Sequence, residues 1–183
     1  MRELTAAQAE NLAEAPPKGA ALCLMADLTA LAVTANGETL LVQEESVGAA
    51  RWEKLLTALL CGDAAPVLHH AKPVMRALME RNMAPALPGF DTALAAYDLN
   101  PSQSDYPVSK LATNFLGVSV DDSDAAACAE AIWNLWEPLM EELEKAGVTG
   151  YVGKVNMDRN NAPGVLEEST EESTPAEGEN AAN

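Results

Sequence analysis

The sequence predicts an α/β domain. It opens with a three-stranded antiparallel meander, alternates helices with one further strand, and turns helical in its C-terminal half. Three observations predict this. Asn36-Gly37 separates two strand-like apolar runs, which is a strong hairpin signal because both residues tolerate positive φ. Trp52, Leu55, Leu56, Leu59 and Leu60 then fall on one helical face. A longer helical stripe follows at Ile132, Leu135, Trp136, Leu139 and Leu143.

Residues 1–14 read as a short polar helix or a frayed lead-in, broken by Pro16, Pro17, Lys18 and Gly19. The meander takes residues 20–26 (AALCLMA), 29–34 (TALAVT) and 39–43 (TLLVQ). Gly62 stops the first strong helix. Residues 66–69 (PVLH) suit a short strand. Pro73 suits the first turn of the next helix, where Val74, Leu78 and Asn82 recur at spacing four. Pro85, Pro88 and Gly89 mark a connection, and Asp91 or Thr92 can cap a helix that ends at Asn100-Pro101. Residues 108–116 form another short helix, closed by Gly117. Ser123 or Asp124 caps the last helix, in which Pro138 predicts a kink and Lys145-Ala146-Gly147 the end.

The chain has 183 residues, the size of one domain, and 48% of them are apolar, enough to bury a core. No apolar run reaches the roughly 18–20 residues of a membrane span. The first residues resemble neither a secretory signal nor a transit peptide, so a cytoplasmic protein is expected. Cys23, Cys61 and Cys128 are far apart in sequence, which argues against a disulfide framework or a zinc site and for small buried hydrophobes. The net charge is −17, of which residues 151–183 carry −5 and residues 1–150 carry −12. Since Lys and Arg supply most phosphate affinity, independent DNA binding should be weak or nil. Residues 150–183 are rich in Glu, Ser, Thr, Pro, Gly and Asn and read as a disordered acidic tail. Residues 1–19 are then a lead-in and 20–149 the folded domain.

The run 90–101 (FDTALAAYDLNP) is the most specific stretch. It resembles the 3′–5′ exonuclease domain of family A DNA polymerases, the bacterial DNA polymerase I type, where Phe-Asp opens a helix of the form L-x-x-Y-x-L-N-P. Lys110-Leu111-Ala112 with Phe115-Leu116-Gly117 is similar to that family's L-A-x-x-x-L-G helix. Residues 131–135 (AIWNL) with Pro138-Leu139 resemble its last exonuclease helix, and His70-Ala71-Lys72 sits at its N-x-K-x-x-D-like helix start. The resemblance covers roughly residues 20–148 and implies a ribonuclease H-like fold, whose strand and helix order the pattern above matches. It also implies a polymerase domain as partner, in cis in that family, but nothing after residue 150 resembles one.

The resemblance further implies hydrolysis by two divalent metals held by carboxylates. The family places an Asp and a Glu two apart on the first strand, an Asp after the fourth strand, and an Asp on the last helix with a Tyr four residues before it. Here the first strand has no acid; Asp27 lies just past it, with Thr29 at i+2. Val74 occupies the second position, and the last helix offers only Glu130. No catalytic or metal-binding residue is therefore expected, and no cofactor. Mg²⁺ or Mn²⁺ would enter only if Asp27, Asp91 and Glu130 formed a rearranged set.

Other candidates weigh against function. His69 and His70 are adjacent on a strand and point to opposite faces, so they do not converge on a metal. His70, Lys72 and Arg76 are weak candidates for a nucleic-acid contact, Lys72 and Arg76 sharing a helix face. Asp91 reads as a helix cap. Asp121, Asp122 and Asp124 lack the Gly and terminal Glu of a calcium loop. Trp52, Trp133 and Trp136 read as core or interface, and no serine has His and acid partners at a recognisable spacing. The expected function is a non-catalytic exonuclease-like module with a structural role in a replication or repair polymerase. The rivals are an exonuclease with rearranged carboxylates and an interaction protein working through its acidic tail.

Overall fold

The computed structural model describes residues 2–25 and 27–147; the acidic tail lies outside them. Its centre is the predicted meander: β2 (Ala21–Leu24), β3 (Ala30–Ala35) and β4 (Glu38–Gln43), after a two-residue first strand β1 (Arg2–Glu3). Ala35 pairs with Glu38 across a two-residue turn in which Asn36 and Gly37 both have positive φ, 51° and 81°. That is the hairpin conformation the Asn-Gly pair favours. One pair further in, the hydroxyls of Thr34 and Thr39 meet at 2.8 Å, which satisfies the fully buried Thr34.

Two more strands extend the sheet on the β2 side. β5 (Val67–Leu68) pairs parallel with β2, and β6 (Phe90–Asp91) pairs parallel with β5. β1 adds to the opposite edge, parallel to β4, giving the order β1-β4-β3-β2-β5-β6. Neither β1 nor β6 is legible in the sequence, because two residues cannot show a period. The segment read as a lead-in also carries α1 (Ala6–Glu14), opened by a reciprocal Thr5–Gln8 capping box. Leu4, Ala9 and Leu12 are buried in the same cluster as the meander, so these residues complete the core.

Strand alternation separates two apolar layers. Leu22 on β2, Leu31 and Val33 on β3, and Leu40 and Val42 on β4 face one side. There they meet α1, α3 (Ala49–Leu60) and α4 (Ala71–Glu80), with the short α2 (Glu44–Val47) between β4 and α3. Ala21, Cys23, Ala32 and Leu41 face the other side. That side is covered by α5 (Thr92–Leu99), α6 (Val108–Leu111) and α7 (Ala125–Lys145). Small side chains at Ala125, Ala126 and Ala129 seat the start of α7 on Ala32 and Cys23. Residues 112–116 form one wide π turn after α6, closed by Gly117 at φ 66°. The helical run of α7 continues past Pro138. Among the described residues, no helix is long and apolar enough to cross a membrane.

Trp52, the largest fully buried side chain, connects α3 to the β2–β3 turn. Its indole N–H donates to the Leu28 carbonyl at 3.0 Å. Leu28 is buried at φ 56°, an uncommon conformation for a branched side chain. Its own burial and the indole bond hold it there.

At Gly89, just before β6, an added Cβ would stand 2.4 Å from the Ala65 carbonyl oxygen, whereas at Gly62 its nearest neighbour would be 3.5 Å away. Backbone must therefore move to admit Gly89→Ala. We expect that variant to lose about 1–3 kcal/mol in urea unfolding, with Gly62→Ala losing clearly less.

Candidate functional site

The site is built where the carboxyl ends of β2, β5 and β6 meet α4 and α7. Its frame is Asp91. The Asp91 Oδ1 accepts the backbone N–H groups of His70 (2.9 Å), Ala93 (3.0 Å) and Leu94 (3.2 Å), and Oδ2 accepts that of Ala71 (2.8 Å). One carboxylate thus caps α5 and also holds the entry to α4, whose N-cap residue His70 offers no side-chain cap of its own. Both helix starts carry unpaired N–H groups and a positive dipole end, so a single anion satisfies both. The expected capping role of Asp91 holds, and it extends to a second helix.

His69 lies beside this clasp and half-buried. Its Nδ1 is 2.8 Å from the Thr92 hydroxyl, which donates onward to the Leu68 carbonyl at 3.3 Å. Thr92 has one proton to give, so Nδ1 of His69 is the donor of the pair. Burial pushes the His69 imidazole below its ordinary value, while the Asp91 charge and the Tyr106 backbone pull weakly the other way. His70 is exposed in a left-handed conformation (φ 61°), and Lys72 and Arg76 are exposed on α4. β5 ends at Leu68, short of the expected 66–69, so strand alternation does not govern the histidines; the chain bends at both, and the left-handed His70 is exposed while His69 is half-buried.

The cleft itself is a cavity of about 330 Å³ lined by Leu22, Cys23 and Leu24 of β2, Leu68 and His69, Val74 of α4, and Cys128 and Ile132 of α7, with Pro107, Val108 and Asp122 closing it. The structure therefore brings together the three places singled out in the sequence: the first strand, Val74 and the last helix. Asp122 is the sole carboxylate of this lining, and it accepts the N–H (2.9 Å) and hydroxyl (2.5 Å) of Ser109. Asp121 accepts from Ser123, and Asp124 caps α7 through the Ala127 N–H. All three loop acids are thus engaged, Asp121 and Asp124 locally and Asp122 with Ser109 of α6.

The rearranged set does not assemble. The exposed Asp27 folds onto its own turn, accepting the Thr29 hydroxyl at 2.6 Å and N–H at 3.1 Å, and these bonds hold its carboxyl below the usual range. Asp91 is committed to the clasp. Glu130 lines a separate surface depression with Leu116, Val118 and Asn134. Among the described residues, no group of three or more His, Cys, Asp or Glu side chains is placed to hold a metal ion. Hard divalent cations need several carboxylate oxygens. Besides the one carboxylate of Asp122, already held by Ser109, the cleft offers thiols, an imidazole and aliphatic carbons, so its residues do not fit a two-metal centre.

Cys128 and Cys23 were not legible as neighbours. They lie on elements far apart in sequence, and no spacing rule links them. Trp136, expected on the buried face of α7, is half-buried, whereas Ile132, Leu135, Leu139 and Leu143 are buried.

No protein-family model and no curated protein sequence matches the chain. Solved structures do. The POL domain of Pol1 from M. smegmatis, in complex with DNA primer-template and dNTP, is 25% identical with TM-score 0.69, over 84% of this chain and 29% of that one. The catalytic core of RRP6 from Trypanosoma brucei is 12% identical with TM-score 0.60, over 83% of this chain and 50% of that one. Escherichia coli RNase D, an exoribonuclease involved in structured RNA processing, is 15% identical with TM-score 0.57, over 80% and 46%. The chain spans under a third of the polymerase's length and about half of each of the other two. Fold and neighbours define an exonuclease-like domain of the ribonuclease H-like class. Within that class, its likeness to the polymerase-associated domain agrees with the resemblance carried by residues 90–101.

Two outcomes follow from this geometry. Asp91→Ala removes both caps and should cost about 1–4 kcal/mol in chemical unfolding, at the usual value of each cap; Asp91→Asn should cost less. For His69, the folded state binds its proton less readily than the unfolded state. Its contribution is therefore intact above the ordinary value of 6.5 and is lost as pH falls below it. Thermal melts across that range should slope less steeply with pH for His69→Gln than for the parent chain.

Proposed function

We propose that this chain is a non-catalytic 3′–5′ exonuclease-like module of a DNA polymerase I-type protein, with a structural role in DNA replication or repair. The observation that carries this reading is the lining of the cleft. Where two-metal chemistry requires converging carboxylates, β2 presents Leu22, Cys23 and Leu24, α4 presents Val74, and α7 presents Cys128. Without those oxygens neither the attacking water nor the leaving oxygen is stabilised.

Two facts support the structural role. The chain covers about 29% of a polymerase-containing chain with which it is 25% identical. The net charge of −12 on residues 1–150 disfavours independent capture of DNA. In this reading the partner is a polymerase domain, in cis or in trans, and the setting is the cytoplasm. His70, Lys72 and Arg76, exposed together at the start of α4, are the residues we assign to any residual phosphate contact.

Folded protein incubated with 5′-labelled, 3′-overhang DNA and Mg²⁺ or Mn²⁺ should leave the strand full-length, as in EDTA. The same metals should leave the melting temperature unchanged, because no site couples their binding to folding. Stepwise, metal-dependent shortening that disappears in Asp27→Ala or Glu130→Ala would overturn the reading in favour of relocated ligands. DNA binding by anisotropy should be weak, fall with salt, and fall further in a His70→Ala, Lys72→Ala, Arg76→Ala variant.

A further inference from the structure

Two of the three cysteines line the same cavity. Cys23 is on β2 and half-buried; Cys128 is in the second turn of α7 and buried. They approach because the side chains between β2 and α7 are small: Cys23 packs against Ala32, Ala125, Ala126 and Ala129, and also against the cluster that holds Cys128. Both sulfurs border this one cavity, close enough that each shifts the other's titration. The Cys128 S–H donates toward the Asp121 and Asp122 carbonyl oxygens, 3.5 and 3.7 Å from its sulfur. Cys61, just past the end of α3, packs against the apolar cluster on the other side of the sheet, and burial pushes its thiol up.

We propose that Cys23 and Cys128 form a reversible dithiol–disulfide couple in the cleft, oxidised by hydroperoxides, with Cys23 as nucleophile and Cys128 as resolving thiol. The cavity gives a small oxidant access to Cys23, and the neighbouring thiol is already in place to resolve the product. The neighbouring Cys128 favours the thiolate at Cys23 against the opposing effects of burial and Asp124. Cys23 and burial push the Cys128 thiol up, so it keeps its proton, which points at the Asp121 and Asp122 carbonyls. Thiolate is the reactive form, which sets the order of events.

The Cys23 thiolate attacks one oxygen of the hydroperoxide. The O–O bond breaks, Cys23 becomes a sulfenic acid, and the departing alkoxide takes a proton to leave as an alcohol, or as water from hydrogen peroxide. The Cys128 sulfur then attacks the Cys23 sulfur. Hydroxide leaves, takes the Cys128 proton and departs as water, and the S–S bond closes. Two thiols have lost two electrons and the hydroperoxide has gained them. The product ties β2 to the start of α7 across the mouth of the cleft. This inference does not depend on the exonuclease-like reading.

The test treats the full, folded chain with hydrogen peroxide, blocks the remaining thiols by alkylation, and maps them by mass spectrometry without reduction. We expect one intrachain Cys23–Cys128 link, a fall from three titratable thiols to one, alkylated Cys61, and full recovery with dithiothreitol. In Cys128→Ser, a dimedone adduct should accumulate on Cys23; in Cys23→Ser, Cys128 should resist oxidation. The proposal is overturned if Cys23 and Cys128 both remain alkylatable in oxidised, folded protein. Faster oxidation of Cys61, or a disulfide forming only between chains, would overturn it too. The mapping of the parent chain decides the matter even where a variant fails to fold.

Discussion

The architecture around the cleft depends on one carboxylate. Asp91 ends β6, starts α5, and reaches back to the first turn of α4. Four N–H groups converge on it, so the spacing between two helix starts and two adjacent parallel strands is set by hydrogen-bond length. The register between β5 and β6 places Leu68 opposite Asp91. That brings His69 and Val74 to the cleft together. A hydrophobic contact at this point would fix neither distance nor direction; an anion shared by two dipoles fixes both.

The sequence was most informative where local rules act alone. Asn36-Gly37 is a hairpin because two positive φ angles are needed there, and the Trp52–Leu60 stripe is a helix because its period leaves no alternative. Asp91 and Asp124 were legible as caps because a cap is a local hydrogen bond. Elements that exist only through distant pairing were not legible. β1 and β6 are strands because β4 and β5 are beside them, and neither has a pattern of its own. The candidate site divides the same way. The absence of acids on β2 and at Val74 could be read directly. The meeting of Cys23 with Cys128, and the convergence of His69 and Asp122 on the same cavity, is a product of the tertiary fold alone.

The cleft combines the walls of its fold with a lining of its own. Its walls come from the same strand ends and helices that define the exonuclease-like fold, while its lining is mostly aliphatic and thiol. Asp122 is held by Ser109, and His69 is occupied by Thr92. These two polar groups are therefore satisfied by the protein itself.

The position of α7 has a consequence for how the chain folds. The β3–β4 hairpin is local and can form as soon as both strands exist. The face bearing Ala21, Cys23, Ala32 and Leu41, by contrast, is covered by a helix about a hundred residues later in the chain. Closing so long a loop is entropically slow. Until α7 docks, that side of the sheet is an open apolar surface with its thiols apart, and aggregation competes with completion of the fold. The run of alanines at the start of α7 suits this late step, because small side chains can seat on a preformed sheet with little rotamer entropy to lose.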